Sequence, residues 1–367
     1  MAIPTLTEGT LYIDRDRDVR TGEWGPYVKI GIVRDGKTPE QRVKELQTGN
    51  PRRVHTIETY ASPMVESLET RLHHNFATMW VRGEWFEMDD NFVNNELDQH
   101  IRTYIEEQNE AIQYHKQREE LKSTASNGTV REPTEDEQNL HAKYIDAKVR
   151  NDVLNAQSQI LKARLMAEMG QGGGVNGILK LVKRTTPGKT TPAHQKFDAK
   201  AFKEKYPQLY AQLVVVSQSA PKGSLTMKKV PALNKQDPEL RDLEKSSKDS
   251  CEEIKVTNCD NEAIEPSEAL KQLHLEYIEL LGEIFDTELE MERIKSKLAV
   301  ALGDYEGISD ILVWKRVSKA QEKLDAKLVQ QEQPEAYNDS LIEIPEKETP
   351  EKVTIAIEVE MYREYSI

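Results

Sequence analysis

The sequence predicts an α+β protein in which a small N-terminal ββαβα domain is followed by two repeated helix-and-strand units joined by linkers. A duplication is the first observation behind this prediction: Asp198-Ala199-Lys200 followed by Pro207-x-x-Tyr210 recurs as Asp325-Ala326-Lys327 followed by Pro334-x-x-Tyr337. The second is that the first 90 or so residues contain three β-rich runs and two sharply started helices in the order ββαβα. Function therefore has to be sought separately in the unique part and in the repeats.

The elements of the N-terminal domain follow from its strand runs and helix caps. Residues 9–13 and 27–33 are β-rich, and residues 53–60 alternate as a third strand. Two helices lie after the second and third strands, which completes the ββαβα order. Their start and stop signals are Thr38 with Pro39 and Gln41, Gly49, and Ser62 with Pro63.

The rest of the chain is predicted to alternate between folded units and linkers. Ser, Gly, Pro and acidic residues concentrate in two segments, which indicates linkers. Each repeat contains a helix of about 26 residues, a glycine, a short strand, the Asp-Ala-Lys helix and a final β-like stretch. The predicted domains are 1–90, the helical connector and linker 91–137, repeat one 138–234, the linker 235–268 and repeat two 269–367.

The two repeats carry opposite charge although the whole chain has a net charge of −14. Residues 138–230 contain 16 Lys+Arg and 5 Asp+Glu, whereas residues 271–360 contain 11 Lys+Arg and 21 Asp+Glu. Three explanations stay open: ordinary solvated surfaces, a basic repeat one that faces a polyanion, or repeats that pack against each other.

Several classes of protein are excluded by composition. No apolar run approaches the roughly 18 residues that span a bilayer, and the N-terminus lacks the pattern of a signal peptide. We therefore expect a cytoplasmic protein without a membrane partner. Cys251 and Cys259 lack the companions of a zinc site. The glycines at 172–177 and the Gly188-Lys189-Thr190 turn lack the strand-to-helix context of a phosphate loop, so no nucleotide is expected.

Five ordered motifs in the N-terminal domain belong together. They are YVKIG at 27–31, Arg42, LQTGNPR at 46–52, Glu69-x-x-Leu72-His73 and GEWF at 83–86. In this combination the segment from about residue 8 to 90 resembles the GIY-YIG nuclease superfamily, and within it the phage-borne branch described as a DNA-binding domain.

The resemblance implies metal-assisted cleavage of a DNA phosphodiester bond. Tyr12 matches the tyrosine that helps to activate water, Arg42 the arginine that binds phosphate, and Glu69 the carboxylate that holds Mg²⁺ or Mn²⁺. These residue types suit displacement at phosphorus, because an arginine fork grips phosphate oxygens and one carboxylate with waters is a usual Mg²⁺ site.

Three positions keep alternatives open. Lys29 stands where the superfamily has a second tyrosine, so it is a phosphate clamp, a base, or a sign that the fold serves binding only. His73, one turn after Glu69, is a catalytic base or second ligand, or makes an orienting hydrogen bond within the fold. Trp85 and Phe86 belong to the core or to a lid.

Basic residues around the proposed phosphate site predict a DNA-binding face, since cations that neutralise phosphates dominate DNA affinity. In the N-terminal domain these are Arg34, Lys37, Lys44, Arg52 and Arg53, and in repeat one they are Lys180, Lys183 and Arg184.

In both repeats a long helix and a glycine are followed by a short strand that runs into basic residues, ILKLVKR at 178–184 or ILVWKR at 311–316, and then by the Asp-Ala-Lys and Pro-x-x-Tyr motifs. In this order the repeats resemble the C-terminal tail of phage YqaJ-type recombination exonucleases, present twice and without the catalytic core. Three hypotheses follow for the whole chain. The first is a phage-type DNA-binding protein that is a metal-dependent endonuclease or nickase. The second is a catalytically inactive adaptor that holds DNA and recruits a recombination or replication protein. The third is an inhibitor in which acidic repeat two mimics DNA.

Overall fold

The N-terminal domain has the predicted ββαβα order, with two additional strands. A computed structural model describes residues 7–360 except Asp35 and Gly49, so the predicted helix end at Gly49 lies outside the described residues. The sheet is antiparallel with strand order β3-β1-β2-β5-β4. The elements are β1 Gly9–Arg17, β2 Trp24–Val33, α1 Pro39–Gln47, β3 Arg53–Ser62, α2 Val65–Asn75, the 3₁₀ turn Ala77–Met79, β4 Trp80–Arg82 and β5 Trp85–Glu87.

The helix caps are only partly as predicted. Thr38 and Gln41 form the expected capping box, in which each side chain accepts a hydrogen bond from the other residue's backbone N–H. The second helix begins later than Ser62 because this hydroxyl donates to Gln108 Oε1 at 2.8 Å and accepts from the Met64 backbone N–H. Ser62 therefore makes a tertiary contact with Gln108 instead of capping the second helix.

The two faces of the sheet differ in chemistry. Leu11, Ile13, Val28 and Ile30 point to α2 and form the main apolar core of the domain. Strand alternation places Tyr12 on the opposite face, beside which α1 lies. Phe86 belongs to the core, whereas Trp85 is half-buried opposite Lys29 on β2.

Both segments predicted as linkers contain ordered elements. After a π-helical turn at Phe92–Leu97, the chain continues with α3 Asp98–Lys122, β6 Val130–Arg131 and α4 Glu135–Glu168. Repeat one continues with β7 Gly174–Val175, β8 Leu179–Thr186, β9 Lys189–Thr191, β10 His194–Phe197, α5 Ala199–Lys205, α6 Pro207–Leu213, β11 Val215–Gln218 and β12 Thr226–Met227.

The second predicted linker, 235–268, is mostly helical. Cys251 is buried on the long helix of this segment. One face of that helix carries small and apolar side chains and therefore packs along α4. The elements here are α7 Leu233–Gln236, α8 Pro238–Asn258, β13 Ala263–Ile264 and α9 Glu268–Leu302. At 34 and 35 residues, α4 and α9 are longer than the repeat helices that the sequence predicted.

Repeat two completes the chain with elements that correspond to those of repeat one. They are β14 Gly307–Ile308, β15 Leu312–Val313, β16 Ala320–Lys323, α10 Ala326–Glu332, α11 Pro334–Asp339, β17 Leu341–Ile344, β18 Lys347–Thr349 and β19 Lys352–Val359. The α+β fold class is thus confirmed. Among the described residues, no helix combines the length and apolar character needed to cross a membrane.

The repeats exchange strands instead of folding separately. Residues 179–197 of repeat one pair with 341–359 of repeat two in one antiparallel register, which we call ribbon one. Residues 215–227 pair with 312–323, which we call ribbon two. Each ribbon therefore contains one strand from each repeat, and neither repeat can satisfy its backbone hydrogen bonds alone.

The exchange extends to both ends of the ribbons. At the base, β6 pairs with β14 and β13 pairs with β7, so the segment preceding each long helix joins the strand that follows the other one. At the far end α5, α6, α10 and α11 share an apolar core, the tip cluster, built around Phe202, Tyr210, Val329 and Ala336. The duplicated Asp-Ala-Lys and Pro-x-x-Tyr motifs cap and begin these four helices.

The N-terminal domain is anchored to α9. The His74 ring stacks on Phe285 with centroids 5.2 Å apart, and a side chain at Gly282 would crowd the His74 carbonyl oxygen at 3.3 Å. Arg71 bonds Asp286 on α9 at 2.8 Å and Glu107 on α3 at 2.6 Å. These contacts hold α2 against the helical core of the repeats.

The opposite charges of the repeats meet each other. Cations of repeat one form ion pairs with acids of repeat two or of the segment before it: Arg150–Glu290, Arg164–Glu276, Lys180–Glu360, Lys183–Asp260, Arg184–Glu358, Lys203–Glu322, Lys205–Asp339 and Lys229–Asp310. Of the three explanations offered for the charge separation, the structure supports repeats that pack against each other.

Replacing both Lys183 and Arg184 with glutamate should destabilise ribbon one, because the new carboxylates would face Asp260 and Glu358. We expect a lower thermal unfolding midpoint in circular dichroism. The added changes Asp260→Lys and Glu358→Lys should restore most of the lost stability, since they re-create the ion pairs with reversed polarity.

The matched control is Lys189→Glu with Lys196→Glu, which makes the same change in charge in the repeat-one half of ribbon one, opposite the uncharged residues Thr349 and Ile342. Its effect should be clearly smaller. Equal losses in the two variants, or no recovery in the charge-swapped protein, would contradict a role of these ion pairs in joining the repeats.

Candidate functional site

The candidate site lies on the face of the N-terminal sheet opposite the apolar core. Tyr12 and Asp14 occupy alternate positions of β1, and Gly31 and Lys29 are their respective partners on β2. Because alternate residues of a strand share a face, these residues form one patch. Tyr12, Asp14 and Lys29 are all buried there.

Gly31 makes room for the Tyr12 ring. A β-carbon at residue 31 would lie only 2.5 Å from the Tyr12 hydroxyl oxygen and 2.6 Å from Cζ. The phenol therefore crosses β2 over the glycine, and this close approach is the physical reason why the YVKIG motif ends in glycine.

The Tyr12 hydroxyl is shielded from solvent. The ring is 0% exposed, and the hydroxyl makes no hydrogen bond of good geometry within the described part of the chain. Burial raises the pKa of Tyr12 to about 12, although the nearby Arg42 guanidinium partly opposes this shift. Tyr12 is therefore protonated at neutral pH and can donate a hydrogen bond.

Arg42 and Lys29 border Tyr12 and have carboxylate partners of their own. Arg42 is one third exposed and forms an ion pair with Glu45 on the same helix. Lys29 is 4% exposed, and its Nζ forms an ion pair with Glu84 in the turn between β4 and β5. Arg42 is accessible to a ligand, whereas the ammonium of Lys29 is held inside the site.

Glu69 joins the cluster through Glu84. It is a partly buried residue of α2, and desolvation followed by repulsion from Glu84 raises the pKa of Glu69 to about 7. Lys29 and Arg34 partly offset this rise. The predicted residues Tyr12, Lys29, Arg42 and Glu69 thus lie in one electrostatically coupled region, although they come from four different elements.

His73 faces the interior of the domain. Its Nε2 lies 3.0 Å from the Ile30 carbonyl oxygen, and its ring packs against Phe86 with centroids 5.1 Å apart. Burial lowers the pKa of His73. This geometry favours the orienting hydrogen bond over a role as catalytic base or metal ligand.

Two acidic residues of the site were missed by sequence reasoning. Asp14 is fully buried and accepts a 2.7 Å hydrogen bond from the Thr56 hydroxyl, while its second oxygen is buried without a partner among the described residues. Burial raises the pKa of Asp14. Two sequence features could have identified them: Asp14 lies two residues after Tyr12 on the same strand, and Glu84 belongs to the GEWF motif.

The residues present fit a divalent cation held by few protein ligands. No group of three or more potential metal-binding side chains occurs within residues 7–360, apart from the two positions the structure leaves undescribed. Glu69 and Glu84 are near enough for their carboxylates to repel each other, as the raised pKa of Glu69 indicates. Mg²⁺ commonly binds one or two carboxylates and completes its shell with waters and substrate phosphate, so this donor set suits it.

The predicted DNA-binding cations fall into two groups. Arg34 forms an ion pair with Glu66, and Arg52 bonds Asp16 at 2.6 Å. In repeat one, the ion pairs described above join Lys180 to Glu360, Lys183 to Asp260 and Arg184 to Glu358. The second group of predicted cations is exposed and forms no ion pair in the described structure. Its members are Lys37, Lys44 and Arg53.

Comparison with known proteins gives one family match, and it covers the N-terminal domain. The T5orf172 domain matches residues 9–105, which include Tyr12, Lys29, Arg42 and Glu69. This domain occurs in phage proteins and in proteins associated with nucleases, and it points to a phage-type DNA-binding or nuclease-related function. Neither a curated protein nor a solved structure matched the chain. The T5orf172 match ends within α3, so the likeness of the repeats to YqaJ-type tails stays a prediction.

The raised pKa of Glu69 makes stability depend on pH. The folded-state pKa of about 7 lies above the unfolded value, so ionisation of this carboxyl group disfavours the folded state. Relative to Glu69→Gln, the wild-type free energy of unfolding should fall by roughly 2 to 3 kcal/mol between about pH 4.5 and pH 7 and then stay level. Urea unfolding of both proteins across this range measures the difference.

Glu58→Gln, an exposed position on β3, is the control for loss of a surface carboxylate. If the difference between wild type and Glu69→Gln were constant with pH, Glu69 would not be desolvated in the way the structure shows.

Proposed function

We propose that the N-terminal domain binds the DNA backbone and cleaves a phosphodiester bond in a reaction that requires a divalent cation, as the resemblance to GIY-YIG nucleases implies. One observation carries this proposal: Tyr12, Lys29 and Arg42, taken from separate motifs, meet on one sheet face, and Glu69 is coupled to them through Glu84.

Each residue has a chemical role in this proposal. Arg42 is accessible and can grip phosphate oxygens with its guanidinium. The protonated Tyr12 hydroxyl can donate a hydrogen bond toward the reacting phosphate or water. Glu69 and Glu84 would hold Mg²⁺ or Mn²⁺, which when bound supplies charge neutralisation at phosphate and a more acidic water.

The DNA path is proposed to run along the exposed cations that form no ion pair with the residues the structure describes. Lys37 and Lys44 lie before and on α1, the helix that carries Arg42, and Arg53 begins β3. The repeat-one cations are less suited to this task, because ion pairs with acids already satisfy them. Pairing of the repeat-two acids also disfavours the DNA-mimic hypothesis.

A second candidate is the catalytically inactive adaptor. The specific observation in its favour is that the Tyr12 hydroxyl is buried and Lys29 is engaged with Glu84, so neither faces a substrate in this state. In that case the N-terminal domain holds DNA, and the intertwined repeats present a rigid surface that recruits a phage recombination or replication protein.

Nicking of supercoiled plasmid by the full-length protein with Mg²⁺ or Mn²⁺ tests the cleavage proposal. Glu69→Gln and Arg42→Ala should each lower the nicking rate by about 100-fold or more, because each removes charge stabilisation at the reacting phosphate. Glu58→Gln should retain wild-type activity. Equal nicking in all four proteins would indicate a contaminant and remove the enzyme proposal, whereas intact DNA binding without nicking would leave the adaptor.

The salt dependence of DNA affinity tests the proposed path. Each phosphate contact contributes about 0.9 to the slope of log affinity against log salt, so Lys44→Ala with Arg53→Ala should reduce the slope by up to about 2. Lys183→Ala with Arg184→Ala removes the same charge from repeat one and should leave the slope nearly unchanged. The reverse result would move the DNA-binding surface to ribbon one.

A further inference from the structure

We propose that Asp14 is a second acceptor for the Lys29 ammonium, and that transfer of Lys29 from Glu84 to Asp14 frees Glu84 to bind a divalent cation together with Glu69. This inference rests on the proposed function. It assigns Asp14 as a positioning residue that acts through Lys29, and Glu84 as a further metal ligand.

The unsatisfied oxygen of Asp14 is the first observation that carries this inference. Oδ1 accepts the Thr56 hydrogen bond, whereas Oδ2 is buried and has no hydrogen-bond partner in the described structure. A buried carboxylate oxygen without a partner is costly, so a fully buried Asp14 requires a compensating group. The residue is 0% exposed, which leaves bulk water unable to supply it.

Lys29 is the cation that can reach this oxygen. Asp14 and Lys29 are direct cross-strand partners of β1 and β2, and such partners have β-carbons about 4.5 to 5.5 Å apart on one face. The attraction between Lys29 and Asp14 is already felt by the Asp14 carboxyl group. A change of the lysine rotamer is the movement that this exchange requires.

The other groups that face Asp14 are less able to take this place. Thr56, from β3, already donates its hydroxyl to Oδ1. Arg42, from α1, is engaged by Glu45 and lies beside the Tyr12 hydroxyl, which packs over Gly31. Lys29 is thus the remaining neighbouring donor, and its present partner, Glu84, is also the proposed ligand of the divalent cation.

Charge balance links this exchange to cation binding. With Lys29 on Glu84, an ammonium occupies one of the two carboxylates that would hold the metal, and Glu69 and Glu84 repel each other. A divalent cation would relieve that repulsion but would be opposed by the ammonium. Moving Lys29 to Asp14 removes the competing charge and satisfies the buried oxygen in the same step.

A Mn²⁺ titration of the full-length protein, followed by electron paramagnetic resonance, tests the inference with four proteins: wild type, Asp14→Asn, Lys29→Met and the double variant. Asp14→Asn should weaken Mn²⁺ binding roughly tenfold, the size seen for residues that support metal ligands. Asparagine keeps a carbonyl for Thr56 but is a much poorer acceptor for an ammonium. In the Lys29→Met background the same change should have no effect, because no ammonium remains to be moved.

Lys29→Met alone gives an independent expectation if Asp14→Asn does not fold. It should bind Mn²⁺ at least as tightly as wild type, since the competing charge is gone, and weaker binding would overturn the inference. Glu84→Gln should weaken binding if Glu84 is a ligand.

The outcomes separate this inference from the proposed function. If Asp14→Asn leaves Mn²⁺ affinity unchanged, or weakens it equally with and without Lys29, while Glu69→Gln abolishes binding, the exchange is wrong and the metal site stands. If Glu69→Gln binds Mn²⁺ as the wild type does, the metal site itself is wrong and both proposals fall. Circular dichroism of each variant confirms that the fold is retained.

Discussion

Reciprocal strand pairing between the two repeats is the constraint on which the rest of the structure depends. Each ribbon takes one strand from repeat one and one from repeat two, and the middle of ribbon one is exposed to solvent on both faces. An isolated two-stranded ribbon is only marginally stable. Here the ribbons are held at one end by α4 and α9 and at the other by the tip cluster. The repeats are thus better described as a covalently joined pair than as two domains.

The opposite charges of the two repeats favour pairing between unlike repeats. The cations that join the repeats come from repeat one and the acids come from repeat two or the segment before it. Like-charged repeats would repel across the ribbons, so the two sequences favour pairing with each other over pairing with themselves. A surface that looked basic along the sequence is consequently neutralised in space. A count of cations along the sequence does not register this neutralisation, because the paired acids lie far away in the chain.

The candidate site depends on the same sheet that forms the N-terminal core. One face of β1 and β2 is apolar and packs on α2, while the other carries Tyr12, Asp14 and Lys29 in a setting with little water. Burial raises the pKa of Tyr12 and of Asp14, and a buried carboxylate requires a compensating cation. Because α9 holds the domain by Arg71 and His74, on another side of α2 from Glu69, the repeats can anchor the domain without covering this cluster.

The sequence alone determined the features that arise within a few residues of one another: the ββαβα order, the capping box at Thr38 and the repeated helix signals. Tyr12, Arg42 and Glu69 became candidates through the resemblance of their motifs to those of GIY-YIG nucleases. It failed where partners lie far apart in the chain. Cap signals, alternation and propensity describe local preferences, whereas the pairing of residue 179 with residue 359 depends on which strand edges and charges meet after folding. For the same reason Asp14 and Glu84 entered the site only through tertiary structure, because burial, not residue type, decides which carboxylates need a partner.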